Sequence, residues 1–218
     1  MLKIAIIRNN ITYLEFRNQL IVFQIFTLAD IRKAFPDFDS KRLVEWQDKG
    51  YLIKLVNKCY AFADIKMTET KAFRVSNVLY HPSYISLESA LSHYHLIPEG
   101  VYSHQAISTR KTMTYTTELG TFNYRTVKPD LFFGYTILRE DELPVLLAEP
   151  EKALLDYLYL NANIKAKDDI KAIRLNLYEL RSIIDWEKLN SYLSVFNSRT
   201  LDKRLRMVKK MMIDAHTS

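Results

Sequence analysis

Three groupings in this 218-residue chain combine residue types that do chemistry. The first sets acids near a lysine: Pro129-Asp130, then Glu149-Pro150-Glu151-Lys152. Metal-dependent nucleases of the PD-(D/E)xK kind use acidic metal ligands and a lysine beside the attacked phosphate. The spacing departs from that pattern, in which the lysine sits two residues after an acid on a strand. Lys152 is three residues after Glu149 and one after Glu151, at the start of a predicted helix. A proline in the first turn and two glutamates at the positive end of the helix dipole account for the segment without catalysis. The nuclease alternative rests on Asp130. The second grouping is His93 and His95, with His81 and His104 nearby in sequence. Zinc takes four well-placed ligands, and side chains two apart on a helix diverge. No metal site is expected. The lone cysteine, Cys59, falls in an apolar predicted strand, where a thiol is normally inert, and it excludes an internal disulfide.

The third grouping is basic: Ser40, Lys41, Arg42 and Lys49 on one predicted helix, then Lys54 and Lys58. Ser40, Lys41 and Arg42 lie at the end of the helix that usually reaches base edges in a major groove. Lys54 and Lys58 suit phosphate contacts. These six are the candidate DNA-binding residues.

The elements that must position them are readable in order. Leu20–Phe26 is a short apolar run, plausible as a strand. Thr27 and Asp30 have the spacing of a capping box that opens a helix over Leu28–Phe35, stopped by Pro36. Asp37–Ser40 is a turn. A second helix covers Lys41–Lys49, with Leu43 and Trp46 inward and Gly50 as its stop. Strands Leu52–Val56 and Cys59–Phe62 meet at Asn57-Lys58. Helix, turn, basic helix and hairpin in this order predict a winged helix-turn-helix over Thr27–Phe62, preceded by a helix at Ile11–Leu20.

The remainder divides in character. Helices are predicted at Thr68–Leu79 and from Ser86 to Tyr94, then a turn at Pro98-Glu99-Gly100. Strands follow at Val101–Ser108, Thr112–Thr117, Thr121–Val127, Tyr135–Arg139 and Val145–Ala148, with short connections that favour antiparallel pairing. Arg110 and Lys111 sit in a turn, solvated or touching a partner. A helix at Pro150–Leu160 opens a helical tail over Asp168–Leu180, Asp185–Phe196 and Ser198–Met212. In the last of these, Leu201, Leu205, Val208 and Met212 form one stripe and Arg199, Lys203, Arg206 and Lys210 another. The basic stripe is either a solvated face or a partner-binding surface.

The chain carries a net charge of +6, which suits a polyanionic partner. Residues 1–65 hold 10 Lys/Arg against 7 Asp/Glu, residues 66–160 hold 9 against 11, and residues 161–218 hold 12 against 7. The four glycines, at 50, 100, 120 and 134, are too far apart for a phosphate-cradling loop, so no nucleotide cofactor is expected. No apolar run approaches the ~20 residues that span a bilayer, and the apolar run in Met1–Arg8 is too short for a signal peptide. A cytoplasmic protein is expected.

Tyr84–Leu91, Leu96–Glu99, Gly120–Tyr124 and, most specifically, Ala148–Asp156 (AEPEKALLD) resemble the AbiEi-type antitoxins. These are transcriptional regulators of bacterial two-gene toxin–antitoxin and abortive-infection systems. The resemblance covers roughly residues 10–160. It implies an N-terminal winged helix that binds inverted repeats in the operon's own promoter. It also implies a C-terminal domain that counters a nucleotidyltransferase-like toxin, by contact or indirectly.

The expected fold class is α+β. A winged-helix DNA-binding domain (1–65) precedes a C-terminal antitoxin domain (66–218), with an antiparallel-rich sheet over about 101–148 and a helical tail over about 150–212. The expected function is that of an autorepressor and antitoxin with no enzymatic activity, cofactor or metal. The alternatives are a stand-alone winged-helix regulator, a protein-interaction module, and the nuclease.

Overall fold

The computed structural model describes residues 11–98, 100, 102–140 and 143–214. Met1–Arg8, Glu99 of the predicted turn and Val101 of the predicted strand lie outside them. The chain divides into two compact units, the first running to Thr68 and including 117–119, the second holding the rest.

The first unit opens with α1 (Tyr13–Leu20), closed at its start by reciprocal Thr12–Glu15 hydrogen bonds. β1 (Ile25–Thr27) follows, then α2 (Leu28–Ala34), α3 (Lys41–Asp48), β2 (Leu52–Val56) and β3 (Cys59–Phe62). The capping box at Thr27 forms as its spacing predicts. The Asp30 carboxylate accepts from the Thr27 N–H at 2.8 Å, and the Thr27 hydroxyl accepts from the Asp30 N–H at 3.3 Å. α2 ends at Ala34 because Phe35, which precedes Pro36, is driven out of helical backbone (φ −136°, ψ 86°). Gly50 ends the next helix in left-handed backbone at φ +68°. The predicted strand Leu20–Phe26 contracts to Ile25–Thr27. Leu20 still belongs to α1, and Gln24 turns the chain at φ +57° before the two buried residues Ile25 and Phe26.

The strands form a three-stranded antiparallel sheet in the order β1-β3-β2. Helices and sheet close over an aromatic core. Phe16 has no exposed surface, and the rings of Trp46, Phe26, Phe38, Phe35 and Phe62 lie 4.6–6.2 Å from its own. These separations fall in the range where edge-to-face and offset rings attract.

In the second unit α4 (Glu69–Leu79) leads to β4 (Ser83–Ile85), α5 (Leu87–His93) and β5 (Ser103–Ser108). β6 (Met113–Thr117) and β7 (Gly120–Thr126) precede a single 3-10 turn at Pro129–Leu131. β8 (Tyr135–Glu140) and β9 (Leu143–Ala148) complete the strands. α6 (Pro150–Leu160), α7 (Lys167–Ala172), α8 (Leu177–Ile183), α9 (Trp186–Phe196) and α10 (Arg199–Asp214) end the described chain. The sheet order is β6-β7-β5-β4-β9-β8.

This sheet is mixed. β4 pairs antiparallel with β5 and β8 with β9, but β5 runs parallel to β7 and β4 parallel to β9. Short connections fix only strands that are neighbours in both sequence and space. After β5 the chain passes beyond β7 to the edge, forms β6 there, and returns inward. β4 itself was not anticipated, since three residues are too few to show alternation. The predicted helix Asp168–Leu180 is two helices. Arg174 turns the chain at φ +57°, and the Asn176 side chain caps α8 by accepting from the Glu179 N–H.

Phe16→Ala leaves a cavity among five rings and should lower the stability of the first unit by about 3–5 kcal/mol in urea unfolding. Cys59 offers a second readout. Burial pushes its thiol up to about 12, so at pH 8 it should resist alkylation in the native chain and react far faster in Phe16→Ala.

Candidate nucleic-acid interface

α3 is set by its buried side. Leu43 and Trp46 are each 2 % exposed, which sends the opposite side of the helix to solvent. Ser40 already has helical backbone and makes no side-chain cap. The cap comes instead from Asp39, whose carboxylate accepts from the Lys41 N–H at 3.0 Å. Lys41 is exposed, as is Ser40.

The remaining predicted contacts separate into two groups. Arg42 is half-buried. It donates to Glu45 at 3.0 Å and to the carbonyl of Ile11 at 2.9 Å, with its guanidinium 5.7 Å from the Trp46 ring centre. Lys49 pairs with the other oxygen of Glu45 at 2.7 Å. Lys49 and Arg42 together hold the Glu45 carboxyl below its usual range. Arg42 thus braces α3 against the start of the described chain, a long-range role invisible in sequence. Lys54 and Lys58 are exposed. Lys58 occupies the hairpin turn at φ +62°, and its carbonyl accepts from the Leu28 N–H at 2.9 Å. Another brace was missed: Arg17 of α1 pairs through both guanidinium nitrogens with Asp64, at 3.0 and 2.7 Å.

In the second unit, the AEPEKALLD segment builds a buried polar cluster. Lys152 and Asp156, one turn apart on α6, have no exposed surface and form an ion pair. Lys152 also donates to the Tyr84 hydroxyl at 2.7 Å. Tyr84 and Ser86 donate to the second Asp156 oxygen at 3.0 and 2.9 Å. The rings of Tyr84, Phe133 and Phe196 surround the ammonium, with centres 5.0–5.2 Å away. Burial pulls Lys152 down and Asp156 up from their ordinary values, and their pairing opposes both shifts. Gly134 permits the approach. A Cβ there would lie 3.0 Å from the Tyr192 ring and 3.1–3.2 Å from the Lys152 stem, on backbone at φ +69°.

The two glutamates do not cap α6 through their side chains. Glu149 pairs with Lys188 at 3.0 Å and accepts from the Tyr192 hydroxyl. Glu151, 2 % exposed, accepts from the Asp185 N–H at 2.8 Å and thereby fixes the start of α9. The lysine that a nuclease would place beside phosphate is therefore enclosed, while Asp130 stands exposed on the 3-10 turn.

Along α10 the apolar stripe Leu201, Leu205, Val208 and Met212 is buried. Arg199, Lys203, Arg206 and Lys210 are exposed, with Arg206 paired to Asp202 at 2.7 Å. Sequence reasoning missed Arg204, which is 6 % exposed. It donates to the carbonyls of Leu158, Tyr159, Ala162 and Ile164, so a cation closes the negative end of α6.

His93 bonds Glu69 at 2.7 Å, His104 stacks on Phe122, and His81 and His95 are exposed. Among the described residues no three His, Cys, Asp or Glu side chains are grouped to hold a metal. Arg110 lies 4.3 Å from the Tyr80 ring centre and donates to the His81 carbonyl, and Lys111 is exposed. No helix among the described residues is long and apolar enough to cross a membrane. No protein-family model and no curated protein matches the chain.

Removing one member of the buried pair strands the other charge. Lys152→Ala and Asp156→Ala should each cost about 3–5 kcal/mol in urea unfolding. Lys152→Met combined with Asp156→Leu should cost clearly less than the two single losses together. Burial lowers the His104 pKa, so the unfolded chain takes up that proton first. Stability should therefore fall as pH drops below 6.5, the ordinary imidazole value. His104→Asn should flatten that slope in a pH series of melting temperatures.

Proposed function

We propose that this chain is a transcriptional autorepressor and antitoxin, whose first unit is a winged helix that reads promoter DNA. The observation that carries the DNA reading is the placement of exposed lysines on a helix–helix–hairpin frame. In this reading α2 and α3 form the helix-turn-helix, and β2 and β3 form the wing. α3 enters the major groove with Ser40 and Lys41 at its leading end. Lys54 and Lys58, exposed on the hairpin, grip backbone phosphates. Arg42 and Lys49, both tied to Glu45, serve chiefly to hold the helix.

The antitoxin role rests on the resemblance of Tyr84–Leu91, Gly120–Tyr124 and Ala148–Asp156 to the AbiEi-type proteins. That resemblance names the partners as inverted repeats in the chain's own promoter and a nucleotidyltransferase-like toxin. The exposed stripe Arg199, Lys203, Arg206 and Lys210 is the surface of the second unit best suited to a partner.

The test is retardation of the DNA immediately upstream of the chain's own reading frame. The native chain should shift it with steep salt dependence. Lys41→Ala, Lys54→Ala and Lys58→Ala combined should weaken binding more than tenfold and flatten the log–log salt slope by about 2, one for each phosphate-gripping lysine. These three are chosen over Arg42 because they leave the braces of α3 intact. Absence of any shift by the native chain would refute the repressor reading. Co-expression with a toxin encoded next to the chain should restore growth, and failure to do so would remove the antitoxin role alone.

A further inference from the structure

We propose that Val44 reads the 5-methyl group of a thymine in the major groove. This rests on the DNA reading of the first unit. α3 turns about 100° per residue, so Leu43 and Trp46 fix its inward direction and Lys41, Val44 and Asp48 share the outward side. Glu45, the remaining neighbour on that side, is drawn between Arg42 and Lys49. Val44 is 58 % exposed in mid-helix. A β-branched residue there gains nothing from burial and is a poorer helix former than the Lys, Glu or Ala usual on solvated faces.

Its chemistry restricts what it meets. Two methyl groups neither donate nor accept a hydrogen bond. Among the edge groups that base pairs present in the major groove, the thymine methyl is the apolar one. Charge complementarity favours duplex DNA as the occupant, because Lys41, Lys54 and Lys58 stand exposed on the same unit. A protein partner is disfavoured, since Lys41 and Asp48 flank Val44 and break up any apolar patch of the size that protein interfaces bury. Asp48 fits the same surface: phosphate repels it, but the amino group of cytosine donates to it.

The experiment is selection from a pool of duplexes with a randomised core, using the full chain, Val44→Ala and Lys41→Ala in parallel. Equal urea midpoints check that Val44→Ala is folded. The native chain should enrich a motif with a preferred thymine, and Val44→Ala should lose preference at that position while keeping the others. In the selected duplex, deoxyuridine for that thymidine should weaken native binding about fourfold, the worth of one buried methyl. The same change should hardly affect Val44→Ala, because the two losses share one contact. Identical motifs from the native chain and Val44→Ala would overturn the assignment and leave DNA binding standing. A native chain that enriches no sequence would overturn both.

Discussion

The second unit depends on an ion pair that has left water. Lys152 and Asp156 lie wholly inside, and desolvating two charges costs more than an ordinary contact returns unless geometry and hydrogen bonds compensate. Here the compensation comes from separate elements. Tyr84 sets its hydroxyl against the pair from the middle of β4, Ser86 supplies a second hydroxyl, and Phe133 and Phe196 close the aromatic wall. α6 is thereby committed to β4 on one side and to α9 on another. A one-residue slip of any of them would leave a buried charge without its partners, so the pair fixes register where apolar packing alone would tolerate sliding. The far end of α6 is fixed by a buried cation, with Arg204 in place of solvent on the carbonyls of Leu158 and Tyr159.

The first unit follows a different logic. Its interior is aromatic and carries no buried ion pair among the described residues. Its charges lie outside, where they divide between bracing and display. Arg17 and Arg42 act locally, one on Asp64 and the other on Glu45 and Ile11. Lys41, Lys54 and Lys58 are left extended into solvent. Apart from Lys49 on Glu45 and the exposed Arg32, the partition matches the chemistry of the two cations. Guanidinium forms planar, two-pronged contacts that hold a geometry, whereas ammonium is a mobile point charge suited to a polyanion of changing shape.

Much of the frame was legible because it is written locally. Thr27 and Asp30 signal a capping box across three residues, Pro36 and Gly50 stop helices, and Leu201 to Met212 repeat at helical spacing. Each rule needs only neighbours in the chain. What escaped was long-range or broke a local default. Arg174 turns the chain at φ +57°, a backbone that arginine does not announce. Nothing near Arg42 announces that its guanidinium meets the carbonyl of Ile11, thirty-one residues away. Lys152 and Glu151 read as the start of a helix, and their burial goes unannounced because lysine and glutamate are rarely buried. One signal was available. Ala153, Leu154, Leu155 and Leu158 wrap more than one face of α6, and a helix apolar nearly all round has nowhere to be but inside.

Two sets of residues that sequence comparison tends to merge are therefore physically distinct. AEPEKALLD, the most specific part of the family resemblance, has its lysine and last aspartate sealed within the second unit. There they hold strands and helices in register. The exposed lysines of the first unit sit on α3 and the hairpin, and the aromatic core beneath does not depend on them. A signature of this kind reports how the chain folds. Whatever the first unit recognises must be met by outward side chains that such a signature does not include.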